Sequence, residues 1–472
     1  MTAGPADAPA ESARSRLDAV VKTYDIRGRA PEQLDATLAA ALGAAFAEEV
    51  GVSNGRGVVA IGRDMRDTSP YLADAFTDAL VAAGSDVVDL GLCSTDLVYF
   101  YSGTHAMPAV MVTASHNPAA YNGMKLCRAG ARPIGQGSGL EGIAAAAARI
   151  LQSPPAPGRV RGSVRHHDAR CDYAVRMTDL VPMPLTRRRR RLRVVVDAGN
   201  GMGGHVVPVV FDRLDVELVP MYFELDGSFP NHEANPLDPA NLTDLQAAVL
   251  KHRADLGLAF DGDADRCFVV DERGKAVTPS AVTALIAAGF LRERPGATIL
   301  YNAICSRAVR EIIDEHGGVP VRTPVGHSRV KAEMARTGAL FGGEHSGHYY
   351  FADFFLADSG MLAALHVIAA LTASATPLSD LMVPYDRYPA SGEINRSVAD
   401  TAPVVRRVAE HFGHREGVSV DWLDGLSVEH ERWWFNLRAS ATEPLLRLNA
   451  EGVDDEAMAA VRDAVLALLD DD

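Results

Sequence analysis

The chain has 472 residues, which suggests about three domains, and its hydrophobic share of 47% is ordinary for a globular protein with several cores. The 46 Lys and Arg residues against 61 Asp and Glu give a formal net charge of −15, which argues against nucleic acid and anionic membranes as partners. The five cysteines are widely spaced without a CxxC pair, and no membrane-spanning run or signal-peptide core is visible, so we predict a cytoplasmic protein without a disulfide framework or zinc site.

The predicted elements begin after a segment rich in Ala and Pro, residues 1–16, which we interpret as a flexible leader. The run VVAIG, ending at Gly62, predicts a strand, residues 69–83 predict a helix, and DVVDLG predicts the next strand. Short β-branched runs continue to alternate with Ala/Leu-rich stretches along the chain. This alternation of strand and helix patterns predicts α/β domains with sheets covered on both faces.

Stretches rich in Pro and polar residues divide the rest of the chain. SPPAPGRVR marks a first boundary, and the Pro-bearing segment around residues 384–390 marks the last. The C-terminal part has a different pattern and predicts a small α+β unit, although no internal repeat is visible in the letters. The predicted domains are residues 17–157, 158–273, 274–385 and 386–472.

An arginine run, Arg187–Arg191, stands alone in this acidic chain. A nucleic-acid patch is one interpretation. A solvated linker or the approach to a strand is favoured, because no aromatic residues are interleaved with the arginines.

The string AVMVTASHNP leads from an apolar strand into a polar turn. A serine just beyond a strand end, here Ser115, occupies the edge where open α/β sheets bind ligands. His116, Asn117 and Lys125 supply donors for a phosphate, and a serine so placed acts as a nucleophile once it is activated. A turn stabilised by Ser and Asn side chains accounts for the string equally well.

DGDADR places Asp261, Asp263 and Asp265 at every second position. In an extended segment these carboxylates would point to one face and would repel one another without a cation. An EF-hand calcium loop is excluded, because Arg266 stands where that loop needs Gly and the flanks look like strands. We therefore predict a magnesium site rather than a solvated acidic turn.

TASHNP, DGDADR, GEHSGH and RASATEP, in this order and at this spacing, resemble the α-D-phosphohexomutase superfamily. More narrowly, the chain resembles bacterial phosphomannomutases and phosphomannomutase/phosphoglucomutases from Lys22 onward. The resemblance implies three related α/β domains with mixed sheets and a smaller C-terminal α+β domain around a central cleft. In chain order these domains would carry the phosphoserine, the metal, the sugar contacts and the distal phosphate.

The resemblance also implies the chemistry. Ser115 would be the phosphoserine, and Mg²⁺ would be bound by its phosphate together with Asp261, Asp263 and Asp265. The phosphoryl group would pass to a sugar monophosphate, giving a hexose 1,6-bisphosphate that serves as intermediate and activator and turns over within the cleft. Positioning and charge neutralisation by metal, arginine and lysine suit such a transfer.

The remaining site residues follow from the same resemblance. GEHSGH would present alternate side chains from an extended loop to one face, and RASATEP would form an anion-binding nest before a strand. The implied substrate-binding residues are Tyr24, His327, Glu344, Ser346, Arg438, Ser440 and Thr442. The implied catalytic residues besides Ser115 are His116, Lys125, Arg27, Arg266 and His348, of which Lys125, Arg27 and His348 are the candidates for proton transfer.

The predicted function is a phosphomannomutase, monomeric or homodimeric, that acts on small hexose phosphates and no macromolecule. A dual phosphomannomutase/phosphoglucomutase and a phosphoglucosamine mutase are the alternatives. Ile304 stands where some dual-specificity members have lysine, and His345 stands where phosphoglucosamine mutases usually have Gln. A sugar phosphatase would not need the nest at Arg438, and a non-catalytic sensor would be expected to lack Ser115 or a metal aspartate.

Overall fold

The computed structural model describes residues 7–53, 55, 57–153, 160–184, 190–398, 400–439 and 445–470; the side chains of residues 7–12 and of His327 lie outside this description. The chain divides into two compact units. The first comprises Met1–Val277 and Ser346–Leu381, and the second comprises Thr278–His345 and Met382–Asp472.

The first sheet of the first unit is mixed, with the strand order β1-β5-β4-β2-β3-β7 and β6 paired with β5. Strands β2, β3, β4 and β7 pair in parallel, whereas β5 runs antiparallel to β1, β4 and β6. Its strands are β1 Ile26–Arg29, β2 Val58–Arg63, β3 Asp86–Leu92, β4 Ala109–Val112, β5 Tyr121–Arg128, β6 Arg132–Ile134 and β7 Val164–His166. The helices of this part are α1 Asp7–Val20, α2 Ala36–Glu49, α3 Ser69–Ala82, α4 Thr95–His105 and α5 Leu140–Gln152.

The second sheet has the order β12-β11-β10-β8-β9. Strand β8 pairs in parallel with β9 and β10, and the antiparallel strands β11 and β12 follow. The strands are β8 Leu192–Asp197, β9 Val216–Met221, β10 Leu256–Phe260, β11 Cys267–Asp271 and β12 Ala276–Val277. The helices are α6 Arg170–Leu180, α7 Gly203–Phe211 and α8 Thr243–His252, preceded by a 3₁₀ turn at Pro239–Leu242.

The third group of elements is shared between the units. In the second unit, β13 Thr298–Asn302 pairs in parallel with β14 Val319–Thr323 and β15 Phe341–Gly343. In the first unit, β16 Tyr349–Phe351 and β17 Ala357–Asp358 form an antiparallel pair with a 3₁₀ turn, Ala352–Phe354, between them. The helices of this group are α9 Pro279–Glu293, α10 Arg307–Glu315, α11 His327–Thr337, α12 Gly360–Ala373 and α13 Leu378–Met382.

The last group is an antiparallel sheet of order β18-β22-β21-β20-β19 with two helices. Val408, Phe412, Phe435 and Val465 lie at the centre of its core, each fully buried. The strands are β18 Ala390–Ser397, β19 Ser419–Asp421, β20 Leu426–His430, β21 Trp433–Ala439 and β22 Leu445–Gly452, and the helices are α14 Thr401–Gly413 and α15 Asp455–Asp470. This α+β domain and the α/β organisation before it confirm the predicted fold class.

One strand order recurs in the α/β part. In β3-β2-β4, in β9-β8-β10 and in β14-β13-β15, the first strand of each set lies between its second and third, and all three strands are parallel. The segment after the third strand carries TASHNP after β4, DGDADR after β10 and GEHSGH after β15. The sequence motifs thus occupy one repeated position at the carboxyl ends of parallel strands, which is where such sheets place their ligands.

Several boundaries differ from the prediction. Helix α1 begins inside the predicted leader, because Leu17 and Val20 are buried in the first core, three residues apart on one helical face. Strand β7 belongs to the first sheet and β12 to the second, so both sheets extend past the predicted boundaries at residues 157 and 273. Of the arginine run, Arg190 and Arg191 are described, and their guanidinium groups pair with Asp255 and Asp215 at the surface.

Candidate active site

Ser115 lies in a tightly constrained turn three residues beyond the buried strand β4. Its φ of 52° is in the left-handed region, which is unusual for a residue other than Gly, and its amide donates to Thr113 Oγ1 at 2.9 Å. A Cβ on Gly262 would collide with the carbonyl oxygen of Ser115, so glycine at this position lets the DGDADR segment approach the serine. The local sequence therefore fixes the serine hydroxyl against the second sheet.

The DGDADR segment is a turn, not the extended segment that we predicted. Ala264 has a φ of 60°, so the chain reverses between the second and third aspartates. The three carboxylates nevertheless converge: one oxygen each from Asp261, Asp263 and Asp265 lies within 4.8 Å of the others. The turn thus produces the predicted convergence by a different backbone route.

Two buried cations face this acidic cluster. Lys125 Nζ lies 2.7 Å from Asp263 Oδ2 and 2.5 Å from Asp265 Oδ2. Arg266 donates to Asp261 Oδ2 through Nε at 2.9 Å and Nη2 at 2.8 Å. Among the described residues, the three carboxylates of this cluster carry one more formal charge than Lys125 and Arg266 neutralise, which favours a further cation.

The pKa shifts reflect this imbalance. Burial raises the pKa of Asp261 to about 7, against the opposing charge of Arg266. Burial acts in the same direction on Asp263 and Asp265, but Lys125 together with the other donors and cations around them outweighs burial, and their pKa values are lowered. Burial alone would lower the pKa of Lys125, but the surrounding carboxylates raise it above its ordinary value, so this side chain stays an ammonium.

The acidic cluster also has free ligand capacity. Among the residues that the structure describes, the Oδ1 atoms of Asp263 and Asp265 are buried without a hydrogen-bond partner, while both Oδ2 atoms are held by Lys125. Thr95 Oγ1 orients Asp263 from the start of α4 by donating to its Oδ2 at 2.5 Å. Buried carboxylate oxygens with open lone pairs suit a hard divalent cation such as Mg²⁺, so the residues present fit a metal site.

Ser115 Oγ has two polar neighbours. It lies 2.7 Å from Asp261 Oδ2 and 3.2 Å from His116 Nδ1. Desolvation, together with the charges of Arg266 and Arg27, lowers the pKa of His116 well below its ordinary value, so its imidazole is neutral. A neutral ring nitrogen at this distance can exchange a proton with the serine hydroxyl.

Arg27 lies on β1 and reaches the same loop. Its Nη1 donates to Asn117 Oδ1 and its Nη2 pairs with Asp25, both at 2.5 Å. Tyr24 lies in the bend before β1 and is half-buried. The structure therefore brings Arg27 to the serine loop, with its guanidinium oriented from both sides.

GEHSGH is not the extended loop that we predicted. Residues 345–347 form a turn in which Gly347 has a φ of 84°, and Glu344 belongs to the second unit whereas Ser346 and His348 belong to the first. In the first unit, His348 pairs through its backbone with Arg266, its Nδ1 lies 2.9 Å from Ser346 Oγ, and its Nε2 lies 3.7 Å from Asp265 Oδ1. Ser346 and His348 thus join the acidic cluster.

The second unit holds two of the predicted substrate-binding side chains. Glu344 is buried, and its Oε1 accepts from the Gly326 amide at 3.0 Å and from Asn302 Nδ2 at 3.3 Å. Arg438 Nη2 pairs with Glu393 at 2.9 Å on the antiparallel sheet. Ser440, Thr442 and the side chain of His327 lie outside the described residues.

Sequence reasoning missed two polar residues of this site. Thr95 follows the capping residue Ser94 of α4, where a hydroxyl is common for purely local reasons. Asp358 is buried on β17, with a carboxylate oxygen within 4.8 Å of ligand atoms of Asp265 and His348. Both are brought to the site by tertiary packing, and no spacing in the sequence indicates them.

No helix among the described residues is long and apolar enough to cross a membrane.

Comparisons with known proteins define the class. Models of the phosphoglucomutase/phosphomannomutase family match all four segments: alpha/beta/alpha domains I, II and III at residues 18–152, 172–274 and 278–388, and the C-terminal domain at 393–468. The class is thus an isomerase of the phosphohexomutase type, which acts on hexose phosphates.

Individual relatives extend along nearly the whole chain. A protein of Xanthomonas campestris pv. campestris described as phosphohexose mutases is 39% identical over 93% of this chain and 96% of its own length. A phosphomannomutase of Escherichia coli is 38% identical over 95% of this chain and 98% of its own. A solved phosphoglucomutase/phosphomannomutase family protein of Burkholderia thailandensis has a TM-score of 0.85 and 34% identity, covering 96% and 97% of the two chains. The chain belongs to the phosphoglucomutase/phosphomannomutase family.

Proposed function

We propose that this enzyme interconverts mannose 1-phosphate and mannose 6-phosphate through a phosphorylated Ser115 and a hexose 1,6-bisphosphate. The observation that carries the proposal is the position of Ser115 Oγ, 2.7 Å from Asp261 in a buried cluster of carboxylates and cations. A serine that only stabilised its turn would not need this cluster beside its hydroxyl. Two relatives, 38% and 37% identical to this chain, are phosphomannomutases, which supports mannose phosphates as substrates.

In this proposal, Mg²⁺ is held by Asp261, Asp263, Asp265 and a phosphate oxygen on Ser115. When bound, the ion supplies positive charge that neutralises the phosphoryl oxygens. Lys125 and Arg266 orient the carboxylates from either side and add permanent positive charge. Arg27 donates to Asn117 of the serine loop.

The transfer forms one bond and breaks another. A hydroxyl oxygen of the sugar monophosphate bonds to the phosphorus on Ser115, the bond from phosphorus to Ser115 Oγ breaks, and the sugar is left as a bisphosphate. The sugar hydroxyl loses its proton to a base, and Ser115 Oγ takes up a proton. The neutral His116 imidazole, whose Nδ1 lies 3.2 Å from Ser115 Oγ, can relay that proton by giving up a proton at Nδ1 while Nε2 takes up another.

Among the three candidates for the base at the sugar hydroxyl, His348 is favoured. The Lys125 ammonium is fixed by two carboxylates that raise its pKa, and a guanidinium such as that of Arg27 does not release its proton in proteins. An imidazole exchanges protons near neutral pH. His348 also lies beside both Ser346 and the acidic cluster.

The other predicted residues bind the substrate in the same proposal. Glu344 and Ser346, with His327 and Tyr24, contact the sugar, and Arg438, Ser440 and Thr442 hold the phosphate that is not being transferred. The pairing of Arg438 with Glu393 fixes the direction of its guanidinium before substrate arrives. Turnover of the bisphosphate requires a site that can bind either of its two phosphates.

Two residues of the second unit support mannose phosphate over the alternative substrates. Ile304 is 6% exposed and offers no charge to a sugar hydroxyl, which argues against equal use of glucose and mannose phosphates. His345 lies 3.1 Å from Ser280 Oγ, at the position where phosphoglucosamine mutases usually have Gln. A dual enzyme and a phosphoglucosamine mutase remain the second and third candidates.

A coupled assay tests the choice of substrate. Mannose 1-phosphate, glucose 1-phosphate and glucosamine 1-phosphate are compared with magnesium and a trace of glucose 1,6-bisphosphate. We expect kcat/KM to be highest for mannose 1-phosphate. Comparable values for glucose 1-phosphate would replace the proposal by a dual enzyme, and turnover of the amino sugar alone would replace it by a phosphoglucosamine mutase.

A further inference from the structure

Arg66 is a completely buried arginine, 1% exposed, whose side chain binds the backbone of the serine loop. Its Nη1 donates to the carbonyl oxygens of Pro118 and Tyr121 at 2.8 and 2.9 Å. Its Nη2 donates to the carbonyl oxygens of Ser115 and Asn117 at 2.8 and 2.6 Å. One guanidinium therefore satisfies four carbonyl groups within seven residues, the first of them that of Ser115 itself.

The guanidinium is itself held in place from two sides. Its Nε lies 3.2 Å from Asp64 Oδ2, and Asp64 Oδ1 accepts from Ser69 Oγ at 2.5 Å. The aromatic ring of Phe229, from the second sheet's part of the chain, lies 5.0 Å from the guanidinium carbon. A cation over a ring and beside a carboxylate has a fixed plane, so the four donors have fixed directions.

This geometry bears on the strained backbone of Ser115. A left-handed φ at a residue other than Gly is unfavourable and persists only where the surroundings over-determine it. The hydrogen bond from Arg66 to the Ser115 carbonyl fixes the peptide plane that follows this strained residue. Lysine could not replace it, because an ammonium has three donors and no planar fork.

We infer that Arg66 is a positioning residue that fixes the direction of the Ser115 hydroxyl toward the phosphoryl donor and acceptor. The inference rests on the proposed role of Ser115 as the phosphoryl carrier. Both terminal nitrogens of Arg66 donate to the loop backbone, so it acts on the serine through that backbone. Its loss lowers the rate of transfer to and from Ser115 without weakening the binding of sugar phosphates.

The test compares Arg66→Lys with Arg128→Lys as a matched control. Arg128 also donates to backbone carbonyls in the first unit, those of Glu49 and Ser138, but none of these belongs to the serine loop. Each purified variant is mixed with glucose 1,6-bisphosphate, and the rate of Ser115 phosphorylation is followed by intact-protein mass spectrometry. The kcat and KM for mannose 1-phosphate and the melting temperature are measured on the same samples.

For Arg66→Lys we expect kcat and the phosphorylation rate to fall about 100-fold with an unchanged KM, the size of effect that a misplaced reacting group produces. Arg128→Lys keeps wild-type values of both. Phe229→Leu keeps all four donors and loses only the ring, so a drop of about threefold in the same two rates is expected even if Arg66→Lys fails to fold.

Two results would overturn the inference. One is a wild-type phosphorylation rate in folded Arg66→Lys or, if that variant does not fold, in Phe229→Leu. The other is a lower kcat/KM that results entirely from a higher KM, with kcat unchanged. Either outcome leaves the role of Ser115 untouched, whereas phosphate found on another residue of the wild-type enzyme would reject the proposed function itself.

Discussion

Ser115 Oγ lies 2.7 Å from Asp261 Oδ2, although the two residues are 146 positions apart and follow strands of different sheets. Each follows the third strand of its repeat, β4 or β10, so the contact joins two copies of one architectural position. Gly262 allows the approach, because any side chain there would meet the Ser115 carbonyl. The hydroxyl and the acidic cluster are therefore a single site built from two sheet edges.

Replacing Ser115 by Ala removes the hydroxyl and keeps the fold. We expect kcat with mannose 1-phosphate to fall by about 10⁴-fold or more, since loss of a nucleophile removes the covalent route altogether. Ser138→Ala, at an exposed turn before α5, is the control and keeps wild-type kinetics. Turnover by Ser115→Ala within a few per cent of wild type would show that another group carries the phosphoryl transfer.

Chelation of divalent metal should stop turnover, and added Mg²⁺ should restore it. Asp263→Asn removes one of the charges at the cluster, so we expect the Mg²⁺ concentration for half-maximal activity to rise about tenfold or more. Asp226→Asn, whose Oδ1 accepts hydrogen bonds from the amide and the hydroxyl of Ser228, provides the control. Full activity after thorough chelation, confirmed by elemental analysis, would contradict a metal role for the cluster.

Lys125 should oppose metal binding while it supports catalysis. Its ammonium occupies Oδ2 of both Asp263 and Asp265, so Lys125→Met removes a competing charge beside the metal ligands. We expect Mg²⁺ to bind about tenfold more tightly by calorimetry while kcat falls. Lys251→Met, at an exposed position of α8, should change neither quantity. Weaker binding in Lys125→Met would show that the lysine orients the carboxylates more than it competes.

The sequence predicted the positions of these groups better than their geometry. Ser115 was predicted from a polar turn directly after an apolar strand, the three aspartates from their alternate spacing, and Glu344 from the family resemblance. The alternate spacing did not predict that DGDADR and GEHSGH are turns, since it looks the same in both conformations. Only the left-handed backbone of Ala264 and Gly347 distinguishes them.

Residues supplied by distant parts of the chain could not be predicted. Arg66 and Thr95 reach the site through packing of α3 and α4 segments against loops 49 and 168 positions away. The boundary of α1 was missed for a related reason: the Ala-rich segment has weak periodicity, and its helix is stabilised by burial of Leu17 and Val20. In each of these cases, packing between parts of the chain that are distant in sequence determined the local structure.

Asp96 provides a prediction on stability that is independent of the active-site chemistry. Its carboxylate is buried and accepts from Ser94, Tyr173 and Ser359, and burial raises its pKa to about 6 from the ordinary 3.8. Because the folded-state pKa is raised, the charged form is disfavoured in the folded protein, and stability is lost as pH rises from about 4 to about 6. Above about pH 6 this loss of stability no longer changes with pH.

The variant Asp96→Asn has no such titration. Its free energy of unfolding relative to wild type should therefore rise by about 3 kcal/mol between pH 4 and pH 7, the equivalent of about two pKa units. Urea unfolding at several pH values measures this difference. Asp74→Asn, on the exposed face of α3, is the control for the same change of side chain at the surface. A difference of opposite sign for Asp96→Asn would show that the folded protein favours the charged carboxylate.

The most direct test of the phosphoserine mechanism is a single-turnover chase. The enzyme is phosphorylated with radiolabelled glucose 1,6-bisphosphate and freed of excess label, the labelled peptide is sequenced, and the phosphoenzyme is then mixed with mannose 1-phosphate in the presence of Mg²⁺. We predict label on Ser115 alone, and its transfer to a mannose bisphosphate at a rate no slower than kcat. Label on another residue, or label that stays on Ser115 while substrate turns over, would contradict the mechanism.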